Sequence, residues 1–466
     1  MATNNPVHVL MLFALARIRA TLVPVNPEFG VAEARYVLEH SAVSGVLVNA
    51  ATSAVAREAA GGLQPAPWFA TIDQEPADTL RLDDLIESAP GLPLPDDVSP
   101  DDTCAIIYTS GTTGFPKGAM HSQRGFCLTG ERHMERCYLQ RDSRVLVVLP
   151  MFHVNALFYS VAGTIAAGAC LIIAPRFSAT TFWRYAADAG VTVTNLMSAA
   201  FNILMKRPRS EFVPEHRIMI VNGGPLTREI VETFRDEFGV SRLVEGFGMT
   251  EIPGAFSTPL DKPQTWANMG LPGRHPDHAR KWTEARVVDD GGNDLPDGEI
   301  GELWVRTPTV MQGYFRDPEQ TAQSFSGDWF RTGDLVKRNP DGYFTFVTRK
   351  KDIIRRRGEN IAGAELDRVI SQHPAVGEVA VIPVPCPLSG EEVLAAVVTR
   401  PGATVTPEEI RAWCAARLAP FKVPRYVTFV TALPHTPTHK VAKHVLKQDT
   451  ARLLATATDL ATRQPS

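Results

Sequence analysis

Three short apolar runs constrain this chain more than any other feature. RVLVVLP (144–150), ACLIIAP (169–175) and VTVTNLM (191–197) are rich in β-branched and aliphatic residues, and FWRYAADAG places a helical segment between the last two. Strands that are apolar on both faces need helices packed over both sides, so the pattern predicts a largely parallel sheet in α/β layers. The alternation also opens the chain, with a helix over 7–19, the strand TLVPV, a helix over 32–41 and the strand GVLVN. From about 283 the texture changes. EARVVDDGGNDLPDGEIGELWVRTP is broken by Gly, Pro and Asp turns, as in an antiparallel β unit. A small α+β segment follows GYFTFVTRKKDIIRRRGENI: a helix over 363–372, the strands EVAVIPV and VLAAVVT, a second helix, then YVTFV. Thr406-Pro407-Glu408-Glu409 opens that second helix with a cap, a first-turn proline and a capping-box acid. A chain of 466 residues exceeds one ordinary core. The expected architecture is α/β. A large N-terminal domain (1–350) has layered α/β subdomains plus a β-rich unit, and a small α+β C-terminal domain (351–450) and a flexible tail (451–466) follow.

Composition removes several function classes. The net charge of −4 gives no bulk basic field for nucleic acid. The six cysteines have no CxxC spacing, so neither a disulfide framework nor a zinc site is expected, and a reducing cytoplasm is the simplest setting. The stretch 154–175 carries no charge and is long enough to span a bilayer. Asn155, Ser160 and Thr164 interrupt it and it closes as CLIIA, so a buried helix running into a buried strand is expected instead of a transmembrane segment. The first apolar run lacks a preceding basic region, which argues against a secretory signal.

Residues 108–118 read YTSGTTGFPKG. Gly111 and Gly114 let backbone N–H groups approach an anion; Thr109, Ser110, Thr112 and Thr113 add hydroxyls, and Lys117 adds charge. The spacing is not that of a Walker A loop, because Gly118 follows the lysine. A polar surface loop is the alternative for this stretch taken alone.

The stretch resembles the signature loop of the AMP-forming adenylate synthetases, a superfamily of acyl-CoA synthetases, nonribosomal adenylation domains and luciferases. Further blocks resemble the same superfamily in its expected order: MFHVNALF, NGGPL, GFGMTE, GEIGELWVRTPTVMQGYF, GDWFRTGDL, GYFTFVTRKKDIIRRRGENI and LPHTPTHKVAKHVLK. The resemblance implies ATP, Mg²⁺ and coenzyme A. A carboxylate joins the α-phosphate of ATP and expels pyrophosphate, and the acyl-adenylate then passes its acyl group to a thiol.

By this resemblance, Thr109, Ser110, Gly111, Thr112, Thr113, Gly114 and Lys117 hold the β- and γ-phosphates. Thr250 binds the α-phosphate and Glu251 ligates Mg²⁺. Phe247, with Gly248 and Met249, stacks on adenine from one side, and Gly223, Gly224 and Pro225 form the other wall. Asp334 accepts from the ribose hydroxyls and Arg349 contacts ribose or phosphate. Lys440 is the adenylation lysine, with Lys443 as its competitor; His439 stands where the family has glycine. Lys351 is the hinge about which the C-terminal domain alternates, and the backbone near Gly358 borders the pantetheine in the second pose. His153, Val154, Asn155, Met197, Ala199, Phe201 and Gly246 line the acid pocket. These are mostly apolar, which predicts an apolar acyl group such as a fatty acid. FSATTFWRYAADAGVTVTNLM is similar to crotonobetaine/carnitine–CoA ligases.

Most relatives carry about fifty further residues, one α/β unit, before the point matching Pro6. Either the start is misassigned or one subdomain lacks an edge piece; in the second case a strand edge or helix face would lie exposed, which a homodimer would cover. Two alternatives to an acyl-CoA ligase stay open. One is an acid-adenylating enzyme that loads a carrier protein or stops at the adenylate. The other is a nucleotide-binding protein without turnover.

Overall fold

The computed structural model describes residues 1–73, 80–91, 93–109, 116–275, 277, 279, 282–356, 359–386, 390–435 and 441–460, and of Asn360 the backbone only. Two compact units divide the chain. The first comprises Met1–Arg286, Trp304–Arg331 and Asn339–Thr345; the second comprises Val287–Leu303, Thr332–Arg338 and Phe346–Ser466. They do not part at one point, because the β-rich stretch contributes segments to each.

The α/β alternation is realised in the first unit as a seven-stranded sheet. Its order is Leu271–Pro272, Phe256–Ser257, Arg242–Phe247, Ile220–Gly224, Val193–Met197, Arg144–Val147 and Cys170–Ile173. The last five are parallel and the first two are antiparallel additions. Parallel register fixes which residues share a face. Leu196 stands beside Gly223, and Gly223 beside Glu245; one position earlier, Asn195 stands beside Asn222, and Asn222 beside Val244. The first face packs on the main apolar core, with Leu196, Val221 and Leu243 against Trp183, Phe201, Phe234 and Phe238. The second is covered by the helix Gln123–Arg136 and the π-helical turns Asn155–Val161.

The 154–175 run folds as expected in outline. The π-helical turns lead into the helix Ala162–Ala167, Gly168 ends it at φ +62°, and the strand Cys170–Ile173 follows. The helical part is largely buried; the strand sits at a sheet edge and Cys170 is exposed. Among the described residues no helix is long and apolar enough to cross a membrane, and the cysteines are free. The first helix, Pro6–Arg17, is capped by Asn5 and leaves Leu10 and Phe13 exposed.

In the second unit the hairpin Val376–Cys386/Gly390–Thr399 anchors a sheet that Tyr426–Phe429 joins in parallel. Helix Gly363–Ser371 and helix Pro407–Ala415 bury Leu366, Ile370 and Ile410 against it. The Thr406–Glu409 capping box is reciprocal: Glu409 N–H donates to Thr406 Oγ1 at 3.2 Å, and Thr406 N–H to Glu409 Oε2 at 2.7 Å. Residues 451–460 of the tail depart from the expectation of flexibility. Thr450–Thr456 is a helix that buries Leu453, and Thr458–Asp459 pairs with Tyr426–Val427. Buried Leu453 and Leu460 supply the apolar anchor that holds it.

Candidate functional site

Two antiparallel strands flank the signature stretch. Thr109 ends the strand Thr103–Thr109, Lys117 begins Lys117–Ser122, and the two residues face each other in register. Ser110, Gly111, Thr112, Thr113 and Gly114 lie outside the described residues, as do Gly358 and Lys440. At the loop's exit the Lys117 ammonium donates to Gln320 Oε1 and lies 5.4 Å from the centre of the Tyr314 ring. Tyr314 in turn donates its hydroxyl to Glu251 Oε1 at 2.7 Å. Burial, then the Glu251 carboxylate, pushes the Tyr314 phenol up, so it stays a donor. The predicted phosphate-loop lysine and the predicted metal carboxylate are thus joined through one aromatic side chain.

Glu251 is 7% exposed. No described residue bonds its second oxygen, which leaves that atom for a cation. Among the described residues no three His, Cys, Asp or Glu cluster. Glu251 offers a carboxylate oxygen, a donor that suits Mg²⁺ completed by phosphate oxygens and waters. Thr250 is steadied from behind by His121, whose ring is bonded to the Thr250 backbone and whose pKa burial lowers to about 4. The turn 248–254 is pinned by Tyr159, whose hydroxyl accepts from Gly254 N–H at 2.9 Å. A Cβ on Gly248 would stand 2.6 Å from that hydroxyl, so the glycine is required by close approach.

The pleat sorts the predicted pocket and adenine-wall residues. Asn155 accepts from Asn195 Nδ2 at 2.9 Å and donates to Met197 Sδ at 3.7 Å, on the helix-covered face. Gly246 shares that face, with the Arg136 guanidinium behind it. His153 and Val154 precede the π-helical turns and are half-buried, with the His153 ring 4.2 Å from Phe152. Ala199 is exposed on the helix Ser198–Lys206. Phe201 does not line a pocket. It is fully buried on the opposite face, 5.1 Å from the Phe234 ring, and it supports Gly223 from beneath. A Cβ on Gly223 would meet Leu196 O at 2.0 Å and Phe201 at 2.9 Å. Gly224 is half-buried and Pro225 exposed at the strand end; Phe247 is half-buried, 5.9 Å from Phe256, and Met249 O accepts from Ile252 N–H. Two surface clefts of about 430 and 710 Å³ share no residue with this group.

In the second unit Asp334 is fully buried, and Arg349 Nε lies 2.5 Å from its Oδ1. Thr332 shapes the turn by accepting from Asp334 N–H and donating to Leu303 O. The two predicted ribose-side residues are therefore paired with each other, and a diol would replace contacts already made. Lys351 is exposed in the short 3₁₀ turn Lys350–Asp352. Lys350 beside it bridges Asp290 and Glu302 at 2.9 Å each, and the Lys351 carbonyl accepts from Lys447. Lys443, the competitor for the adenylation role, is ion-paired with Asp367.

Sequence reasoning missed Tyr314, Tyr159, His121, Arg136 and Glu245. Glu245 lies on the apolar face and accepts from Leu226 N–H at 2.8 Å, fixing the loop after Pro225, and burial raises its pKa to about 7. Tyr314 lay inside a quoted block, GEIGELWVRTPTVMQGYF, and a lone phenol there was the available signal.

Comparisons with known proteins show the family and the fold. The AMP-binding enzyme model matches residues 1–315 and the AMP-binding enzyme C-terminal domain model matches 365–440. A sulfoacetate–CoA ligase of Cupriavidus necator is 34% identical over 90% of this chain and 81% of its own length. A crotonobetaine/carnitine–CoA ligase of Shigella dysenteriae is 30% identical over 95% and 86%. The crystal structure of ATP-bound MatB from Rhodopseudomonas palustris superposes with a TM-score of 0.81 at 28% identity, covering 96% of this chain and 87% of that one. The chain belongs to the AMP-binding enzyme family and is an AMP-forming acid–thiol ligase.

Proposed function

We propose that the protein is an ATP-dependent acyl-CoA ligase that works in two steps. The acid's carboxylate oxygen attacks the α-phosphorus, the bond to the β-phosphate oxygen breaks, and pyrophosphate leaves. The coenzyme A thiolate sulfur then attacks the acyl carbon and AMP departs. The observation that carries this reading is the Lys117–Tyr314–Glu251 chain, which holds a cation and a buried carboxylate at fixed spacing in one unit. Bound at Glu251, Mg²⁺ would neutralise phosphate charge as the pyrophosphate leaves. Glu251 would hold that ion, Tyr314 would fix the carboxylate's orientation, and Lys117 would steady the departing phosphates.

Lys440 is proposed as the lysine that bridges the two anions during adenylation. The ion pair of Lys443 with Asp367 supports that choice, because it leaves Lys443 already engaged. Asp334 and Arg349 are proposed to meet the ribose after their own contact opens, and Lys351 to lie at the hinge. The test is pyrophosphate and AMP release across a panel of acids, with and without coenzyme A. Coenzyme A-dependent thioester formation is expected. Pyrophosphate exchange with no thioester for any acid would assign the chain instead to carrier-protein loading or adenylate release.

A further inference from the structure

The helix-covered face of the sheet holds a buried cationic group that the ligase reading leaves without a task. Arg136, at the end of helix Gln123–Arg136, is 6% exposed. Its Nη2 donates to Asn222 Oδ1, and its guanidinium lies 4.8 Å from the centre of the Tyr159 ring. Its Nε is buried without a hydrogen-bond partner, as are Asn222 Nδ2 and Asn195 Oδ1. No carboxylate pairs with Arg136 among the described residues. The nearby Glu135 is bonded to Arg132, which also donates to Ser257 at 2.5 Å. His133 stacks on Tyr159 from the same helix and is held neutral by burial and by the two arginines. The cluster therefore carries net positive charge in the buried interior, an arrangement that is costly unless an anion completes it.

Its position says which anion. A Cβ on Gly246 would stand 3.0 Å from Arg136 Nη1, so the guanidinium packs directly against the bare backbone of Gly246, a residue predicted to line the acid pocket. Gly246 leads through Phe247 directly into the Thr250–Glu251 turn, where the acid's reacting carboxylate must lie. Asn195 and Asn222, adjacent in register, extend the polar floor toward Asn155 and Met197. We propose that Arg136, with Asn222, selects an acid whose far end carries a second anionic group, a carboxylate or a sulfonate. This rests on the ligase reading and replaces the apolar acyl group that the lining residues predicted. A guanidinium suits either anion, because its fork of N–H donors matches two coplanar oxygens.

The test pairs each doubly anionic acid with an isostere that is uncharged at its far end: sulfoacetate with methylsulfonylacetate, malonate with malonamate, succinate with succinamate. With the full chain, kcat/KM for pyrophosphate release should favour the charged member of at least one pair. Losing a charge-assisted hydrogen bond should lower that preference by roughly 10- to 100-fold in Arg136→Met, chiefly through KM, with part restored in Arg136→Lys. Which pair responds distinguishes sulfonate from carboxylate. Singly charged isosteres used as well as the doubly anionic acids by the unaltered protein would overturn the proposal, with the ligase reading intact; so would an unchanged ratio in Arg136→Met. If Arg136→Met does not fold, the isostere pairs on the unaltered protein decide alone. If no acid turns over, the ligase reading falls, and calorimetric titration of the same pairs decides the pocket: tighter binding of a charged member supports it, and equal or absent binding overturns it.

Discussion

The two faces of one parallel sheet do different work. On one, Leu196, Val221 and Leu243 meet Phe201, Phe234 and Trp183 in an apolar core. On the other, one residue out of phase, Asn195, Asn222 and Gly246 meet Asn155 and Arg136. A one-residue change of register would exchange the two sets, so the core that fixes the register also fixes the chemistry. Phe201→Ala should break the first face most severely. Removing a fully buried ring should cost about 3–5 kcal/mol, read as a lower denaturation midpoint with an unchanged slope. A loss under about 1 kcal/mol would mean that Phe201 is not part of the core.

The site side should respond in rate and not in stability. Glu251→Gln keeps the side chain's shape and removes its charge. It should lower adenylation by roughly 100- to 1,000-fold, as for loss of a main electrostatic contact in a transition state. The Mg²⁺ concentration for half-maximal rate should rise with it. An unchanged Mg²⁺ dependence would take the metal away from Glu251.

Glu245 is the exception that sharpens the contrast, being an acid on the apolar face. Its folded pKa of about 7 stands above the reference value of 4.5. Between those pH values the folded chain keeps a proton that the unfolded chain releases. Stability from this group is therefore greatest below pH 4.5, falls as pH rises to 7, and is level above that. Glu245→Gln should remove that slope. At pH 8 it should be more stable than the parent by roughly 2–3 kcal/mol, and near pH 4.5 the two should differ little. Parallel stability–pH curves would show that Glu245 does not carry the shift.

The alternation of helix and strand was legible because each apolar run is long enough to show its period. The roles proposed for Thr250, Glu251, Asp334 and Arg349 come from the blocks that hold them. Phe201 was misplaced because a helix, Ser198–Lys206, carries it under the sheet, and strand spacing says nothing about a residue in the following helix. Arg136 was invisible for a related reason. QRGFCLTGERHMER reads as a polar, solvated helix, and only the fold buries Arg132, His133 and Arg136 together. Tyr314 stands 63 positions from the carboxylate it holds, beyond any local pattern.

That long-range contact yields the smallest effect and the most specific one. Tyr314 touches Glu251 through its hydroxyl and Lys117 through its ring, so the two contributions separate chemically. Tyr314→Phe keeps the ring under the ammonium and deletes only the donor to the carboxylate. Loss of a hydrogen bond to a charged group corresponds to a fall of about tenfold or somewhat more in adenylation. If Glu251 holds the metal, the loss should shrink at high Mg²⁺, because the cation can then reorient a carboxylate that the phenol no longer fixes. Thioester formation from supplied acyl-adenylate should be nearly unaffected, since pyrophosphate has already left. Tyr314→Leu removes the ring too and should weaken ATP binding beyond the phenylalanine variant. Equal losses in both half-reactions for Tyr314→Phe would mean that the phenol supports the hairpin and not the departing phosphates.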